Sequence, residues 1–295
     1  MKGLLGIWVV VGLSVGCMAM EVQGHRGARD AFPENSLPAF ASALEAGIDV
    51  IELDLLMTRD GVIVIHHDYY LNEQLCTYLN QEPLEPGQLI HSLTLAQVKD
   101  VDCGCRQNRA FPEQKTVVGT QIPTLEELFQ MIASSSLEHA KTIRLNLELK
   151  RDPRHPEWSA SPEELALCVT RLVAQYGLAS RIYYSSFDPE SLAAIRKIKT
   201  DARLGLIYNQ ESLDEAAKRG QALIQIATAL RVDVLSPEHE LLHNAEEVEH
   251  LHQAGFCVVP WTVNDPQRWK ELSGFNVDGM ITDHPAELKQ FLLCQ

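Results

Sequence analysis

From residue 22 onward, short apolar runs alternate with longer amphipathic ones. The short runs read as strands at 22–27, 50–57, 144–150, 181–187, 203–208, 232–237, 256–263 and 277–282, where compact apolar stretches stand between turn-forming residues. Between them, apolar residues return every three or four positions at 37–46, 125–133, 162–175, 189–198, 245–254 and 266–272, the spacing of one helix face. Ser161 before Pro162 is a helix start, and Gly177 and Gly255 stand where helices should stop. Eight strand-then-helix units over this length predict an α/β chain folded as one (β/α)8 TIM barrel.

One stretch breaks the rhythm. An extra strand at 62–68 follows the second one through the turn Arg59-Asp60-Gly61, a hairpin signal. The segment 69–123 after it is polar and rich in proline and glutamine. A run that long without periodicity is uncommon unless it is functional or a small subdomain. It predicts an insertion of about 69–122, placed over the C-terminal mouth of the barrel where lids belong.

Charge narrows the function. With 40 acidic against 25 basic residues, the 295-residue chain carries a formal charge of −15. That argues against a nucleic-acid binder, which needs a basic stripe, and against docking on anionic lipid by charge alone. A small phosphate-bearing substrate stays open, because a metal or a few cations reverse the field locally.

Residues 1–19 have a charged start, an apolar stretch and a small-residue exit, which predicts a signal peptide and an exported, periplasmic or extracellular chain of residues 20–295. The apolar run is too short for a stable membrane span. Ser14-Val15-Gly16-Cys17 loosely resembles a lipobox, so lipidation at Cys17 competes with cleavage after Ala19 or a start at Met18 or Met20. Gly12, Ser14 and Gly16 match a G-x-S-x-G elbow but lack the preceding strand, so this motif is set aside. Cys168 and Cys257 read as buried and inert, and a bridge from Cys76 to Cys103 or Cys105 suits an exported chain.

A parallel strand buried on both faces should be apolar throughout. Two strands are not. Glu52 and Asp54 share one face of the second strand, and Arg144, Asn146, Glu148 and Lys150 share one face of the next. Unpaired charges inside a barrel are very costly, so these groups either form an ion-pair network with Arg26, Arg144 or Lys150, or hold a cation. Glu52, Asp54 and Glu148 would make an all-oxygen site for one hard divalent ion, Mg²⁺ or Ca²⁺. His25 and His67, each at a strand end beside that site, tip the balance towards chemistry as a general acid–base pair. Arg26 adds a forked donor suited to phosphate.

Here the chain resembles the glycerophosphodiester phosphodiesterase family, over essentially all of 22–286. The residues that carry the likeness are His25-Arg26-Gly27 with Pro33-Glu34-Asn35-Ser36, Glu52-Leu53-Asp54, Asp60-Gly61, His67-Asp68, Ile122-Pro123-Thr124, Leu147-Glu148-Leu149-Lys150, Ser186-Phe187-Asp188, Trp261-Thr262-Val263-Asn264, Asp278-Gly279 and Thr282-Asp283. Each is weak alone; their order is specific. The resemblance implies metal binding by Glu52, Asp54 and Glu148, acid–base work by His25 and His67, phosphate contacts from Arg26 and Lys150, and Trp261 against the glycerol part or the site wall. Glu34 and Asn35 would hold the first loop, and His66, on the opposite strand face, is the control for His67. Related phosphatidylinositol-specific phospholipases C suggest attack by a glycerol hydroxyl, then opening of a cyclic phosphate by water, with His25 as first base and His67 as first acid.

The expected substrate is a small glycerophosphodiester such as glycerophosphocholine, giving an alcohol and sn-glycerol 3-phosphate. The alternatives are a lysophospholipase D or phospholipase C type of lipid phosphodiesterase, and a non-catalytic envelope binding protein on the same barrel. The histidines at 239, 243, 250 and 252 read as surface, Tyr183, Tyr184 and Trp269 as packing, and Asp283-His284-Pro285 as a turn opening a helix.

Overall fold

The computed structural model describes residues 20–294; the expected signal peptide at 1–19, with its elbow motif and Cys17, lies outside them. The apolar runs become parallel strands β1 (Glu21–Gly24) and β2 (Val50–Met57), then antiparallel β3 (Ile63–Ile65). Short β4 (Thr77–Tyr78) and β5 (Val101–Asp102) pair with each other, and β6 (Arg144–Leu149), β7 (Ile182–Ser186), β8 (Arg203–Tyr208), β9 (Val234–Pro237), β10 (Cys257–Val258) and β11 (Gly279–Thr282) continue the main sheet. The parallel order β10-β9-β8-β7-β6-β2-β1-β11 wraps into a barrel of eight strands. Its seam is closed by backbone bonds from the amides of Asp278 and Ile281 to the carbonyls of Val258 and Pro260, and from the Val263 amide to Ile281.

Helices α1 (Leu37–Glu45), α2 (Leu95–Val98), α3 (Leu125–Ser134), α4 (Pro162–Gln175), α5 (Pro189–Ile198), α6 (Gln210–Lys218), α7 (Leu223–Leu230), α8 (Ala245–Gln253), α9 (Pro266–Gly274) and α10 (Pro285–Leu293) fill the connections. Their starts are chemically marked. Ser36, Thr124, Ser161, Asp188 and Asp265 each accept a first-turn amide, and proline follows Ser161, Asp188 and Asp265. Phe40, Leu128, Phe129 and Val169 are buried against strand residues such as Ile51, Leu53 and Leu145, so the core lies between strands and helices. Among the described residues no helix is long and apolar enough to cross a membrane.

The structure departs from the sequence reading at several points. The segment 209–231, given no element above, forms α6 and α7. The seventh strand shrinks to two residues because Pro260 has no amide to offer the ladder. Cys168 and Cys257 are half-buried rather than buried. His252, read as surface, bonds Asp278 at 2.8 Å. Arg144 does not join the carboxylates of the mouth; it pairs with Glu21 at 2.7 Å at the opposite end.

The insertion has a core of its own, where Leu71, Leu84, Ile90, Val98, Val101 and Ile122 pack together. Cys76 bonds to Cys103, which leaves Cys105 free beside the Thr77 hydroxyl. The subdomain grips the first loop of the barrel: the Lys115 amide bonds the Ala31 carbonyl at 2.9 Å, Gln114 donates to the carbonyls of Arg29 and Phe32, and the Arg29 guanidinium lies 4.9 Å over the Phe111 ring. That contact fixes it at the C-terminal mouth.

Candidate active site

The register of β2 against β6 places Asp54 beside Glu148 and Glu52 beside Asn146. Side-chain alternation then turns Glu52, Asp54 and Glu148 into one cluster, with a carboxylate oxygen of each within 4.8 Å of the others. All three are buried. A further cluster of Asp30, His284 and Glu287 is more exposed.

The loop after β1 folds over this cluster. Gly24 and Gly27 are required there, since a Cβ would meet the Gly27 carbonyl oxygen at 2.7 Å or the Ala39 backbone at 2.9 Å. Arg26 and Asn35 both adopt left-handed backbone, at φ 55° and 52°. This bend aims the Arg26 amide at Glu52 Oε2 (2.9 Å) and clips the Asn35 amide to the Arg26 carbonyl. Asn35 Nδ2 donates to Asp54 Oδ2 at 2.8 Å, and Glu34 bridges Arg26 and Arg29 at 2.6 Å each. Both residues hold the loop.

Two cations enter the cluster. Lys150 Nζ lies 2.9 Å from Glu148 Oε1 and 3.5 Å from Asp54 Oδ1. Arg26 Nε lies 3.5 Å from Asp54 Oδ2 without closing a hydrogen bond, so it remains a buried donor with no partner. Among the described residues Glu52 has no ion-pair partner, only the Arg26 amide. Burial, with the charges of Asp54 and Glu148, pushes its carboxyl well above the usual range. Asp54 goes the other way: burial pushes it up, but His67, Lys150, Arg26 and the Asn35 bond together hold it far down. Lys150 is raised, because Glu148 and Asp54 outweigh its burial. Three carboxylates against two cations leave an acidic surplus centred on Glu52, a donor set that fits a hard divalent ion.

Both histidines are held at one nitrogen. His25 Nδ1 bonds Asp283 Oδ1 at 2.7 Å, and Asp283 also receives Asn264 Nδ2 at 2.7 Å. His67 Nδ1 bonds Asp68 Oδ1 at 2.8 Å. A carboxylate at Nδ1 fixes the proton there and leaves Nε2 to face the site. Burial and the neighbouring Arg26 charge lower the His25 pKa below the usual histidine range, against an upward pull from Asp283. His66 turns away and bonds the Tyr70 carbonyl. Trp261 stands on the mouth wall, its Nε1 donating to the Ser236 carbonyl and its ring edge-on to Phe187 at 5.4 Å. The sequence reading missed Asp283 and Asp68 as partners of the histidines, although both sat in quoted motifs.

Fold and mouth together define an enzyme of the (β/α)8-barrel class with its site at the C-terminal ends of the strands. The model of the glycerophosphoryl diester phosphodiesterase family matches residues 25–287, and the chain belongs to that family. It is similar to a glycerophosphodiester phosphodiesterase of Caldanaerobacter subterraneus, 30% identical over 269 residues, covering 90% of this chain and 95% of the relative. A Bacillus subtilis relative of the same name is 28% identical, over 88% of this chain and 82% of its own length. Among solved structures, a candidate glycerophosphoryl diester phosphodiesterase from Silicibacter pomeroyi superposes with a TM-score of 0.85 at 29% identity, covering 94% of both chains. A phosphodiesterase of Oleispira antarctica, solved with its product sn-glycerol-3-phosphate, shares the fold at a TM-score of 0.72 and 23% identity, covering 92% of this chain and 96% of that one.

Proposed function

We propose that the chain hydrolyses small glycerophosphodiesters to an alcohol and sn-glycerol 3-phosphate, with one divalent ion, Mg²⁺ or Ca²⁺, held by Glu52, Asp54 and Glu148. The observation that carries this is the carboxylate cluster, only partly neutralised by Lys150 and Arg26, with a partnerless Arg26 Nε beside it. The family and the names of the relatives supply the substrate class. When bound, such a cation supplies concentrated positive charge against the phosphate and acidifies a hydroxyl beside it.

The chain's own residues do the rest. Arg26 Nε and Lys150 Nζ receive phosphoryl oxygens and stabilise the charge that builds on them. His25, kept neutral by burial and Arg26, takes the proton from the attacking glycerol hydroxyl at Nε2. His67 gives its Nε2 proton to the head-group oxygen as the P–O bond to it breaks. In the second step water opens the cyclic phosphate, and the two histidines exchange roles. Trp261 walls the glycerol side.

The test is release of glycerol 3-phosphate from glycerophosphocholine by the purified protein, before EDTA, after it, and after adding back Mg²⁺ or Ca²⁺. Release should stop with chelator and return with metal; release indifferent to EDTA would sink the metal assignment. Export belongs to the same proposal, supported by the leader composition and the Cys76–Cys103 bond, which suits an oxidising compartment. An N-terminus starting near residue 20 in a periplasmic or extracellular fraction would bear that out.

A further inference from the structure

The insertion meets the barrel at a point that the chemistry above does not use. Its residues Phe111, Gln114 and Lys115 lie on the loop after β1. Phe111 is half-buried, although its neighbours Pro112 and Glu113 are exposed. The Arg29 guanidinium lies 4.9 Å over the centre of its ring, and the His284 ring meets it edge-on at 6.3 Å. Gln114 is buried, and its Nε2 donates to the carbonyls of Arg29 at 2.7 Å and Phe32 at 3.0 Å.

Arg29 is the residue these contacts share. Its Nε bonds Glu34 Oε2 at 2.6 Å, and its Nη1 reaches Asp283 Oδ1 at 3.4 Å. That is the same oxygen that His25 Nδ1 bonds at 2.7 Å, while Asn264 Nδ2 takes the other one. With Arg29 and Asn264 in place, the carboxylate behind the base is gripped at both oxygens. An arginine side chain free in solvent would lose that grip to rotamer entropy. Here an aromatic ring, a backbone clip and a second carboxylate hold it in one position.

We propose that Phe111 and Gln114 of the insertion are positioning residues for the base, holding Arg29 against Asp283 so that the His25 imidazole keeps one orientation. The inference rests on the phosphodiesterase reading of the mouth. It gives the insertion a part in the reaction without any contact to substrate. The charges facing His25 are those of Arg26, Asp283 and Arg29. Burial and Arg26 push its pKa down, Asp283 pulls it up, and Arg29 adds a smaller push down. A loosened Arg29 therefore lets the pKa rise.

The experiment uses the full chain and two readouts. One is the acidic limb of kcat/KM on glycerophosphocholine; the other is the His25 imidazole titration followed by NMR, which needs no turnover. Arg29→Gln and Phe111→Ala should each move both upward by roughly half a pH unit. Their kcat should fall about three- to tenfold. Phe111→Tyr keeps a ring under the guanidinium and should restore limb and kcat together. Gln114→Ala should move the limb the same way by less. Val98→Ala, in the insertion's own core, should lower the melting temperature and leave the limb in place. Arg29→Gln lies outside the insertion and decides the matter should Phe111→Ala not fold. A limb and a titration unmoved in Arg29→Gln overturn the inference alone, as does a limb that moves equally in Val98→Ala. No cleavage of glycerophosphocholine by the unaltered chain under any metal overturns the reading of the mouth, and this inference with it.

Discussion

The two ends of the barrel are built from the same strands and use opposite electrostatics. At the N-terminal end Arg144 of β6 meets Glu21 of β1 one to one at 2.7 Å. One layer up, the charges vanish: Asn146 donates to Gln23, and the hydroxyls of Ser185 and Tyr183 complete a neutral network. At the C-terminal end the same face of β6 supplies Glu148, which joins Glu52 and Asp54 around only two cations. The lower layers balance their charges, with Gln23 Nε2 left as a neutral buried donor without a partner. The upper layer keeps an acidic surplus, a partnerless guanidinium nitrogen and left-handed backbone at Arg26 and Asn35. Charge left unbalanced at one end and balanced at the other is the physical mark of a site.

Substitution at the upper end should therefore destroy chemistry, and at the lower end only stability. Glu148→Gln has the largest expected effect: metal binding by calorimetry is lost and turnover falls roughly a thousandfold. Retained metal affinity would break the contrast at its centre. His67→Ala should lower kcat by about 10²–10⁴-fold while metal still binds. Asp283→Asn is milder, about 10–100-fold in kcat. Its pH profile carries a sign: Asp283 raises the His25 pKa, so removing its charge moves the acidic limb of kcat/KM to lower pH. A limb that moves upward would show that Asp283 does not act through His25.

At the lower end, Arg144→Met leaves Glu21 buried without its partner and should cost about 1–3 kcal/mol of unfolding free energy in a denaturant titration, with kcat unchanged. A fall in kcat at full occupancy would erase the distinction between the two ends. The smallest effect belongs to His66→Ala, whose ring bonds the Tyr70 carbonyl away from the carboxylates; kcat should stay within about twofold. A His66 variant as inactive as the His67 variant would reverse the choice between these neighbours.

Much of this was legible because local pattern and tertiary role agree. The strands at 50–57 and 203–208 and the helices at 162–175 and 189–198 were read with their observed bounds, since periodicity, caps and prolines marked them. The carboxylates were visible as acids where a two-sided buried strand should hold aliphatics. Helices α6 and α7 left a fainter trace: only Ala216 and Ala227 are fully buried, while Leu213, Leu223, Ile226 and Leu230 pack against the core half-buried. The choice of Cys103 over Cys105 for Cys76 depends on the fold of the insertion, which spacing does not encode. Asp283 reads locally as a turn; only the pairing of β1 with β11 brings it to His25.

That pairing also ties the proposed base to the closure of the barrel. His25 and its carboxylate are 258 residues apart in sequence, one leaving the first strand and the other following the last. A chain interrupted before β11 has β1 unpaired along one edge and His25 without the acceptor that orients it. On the proposed mechanism, forms that lack β11 carry most of the cluster without the acceptor that orients His25, and activity requires that the first and last strands of the barrel have met.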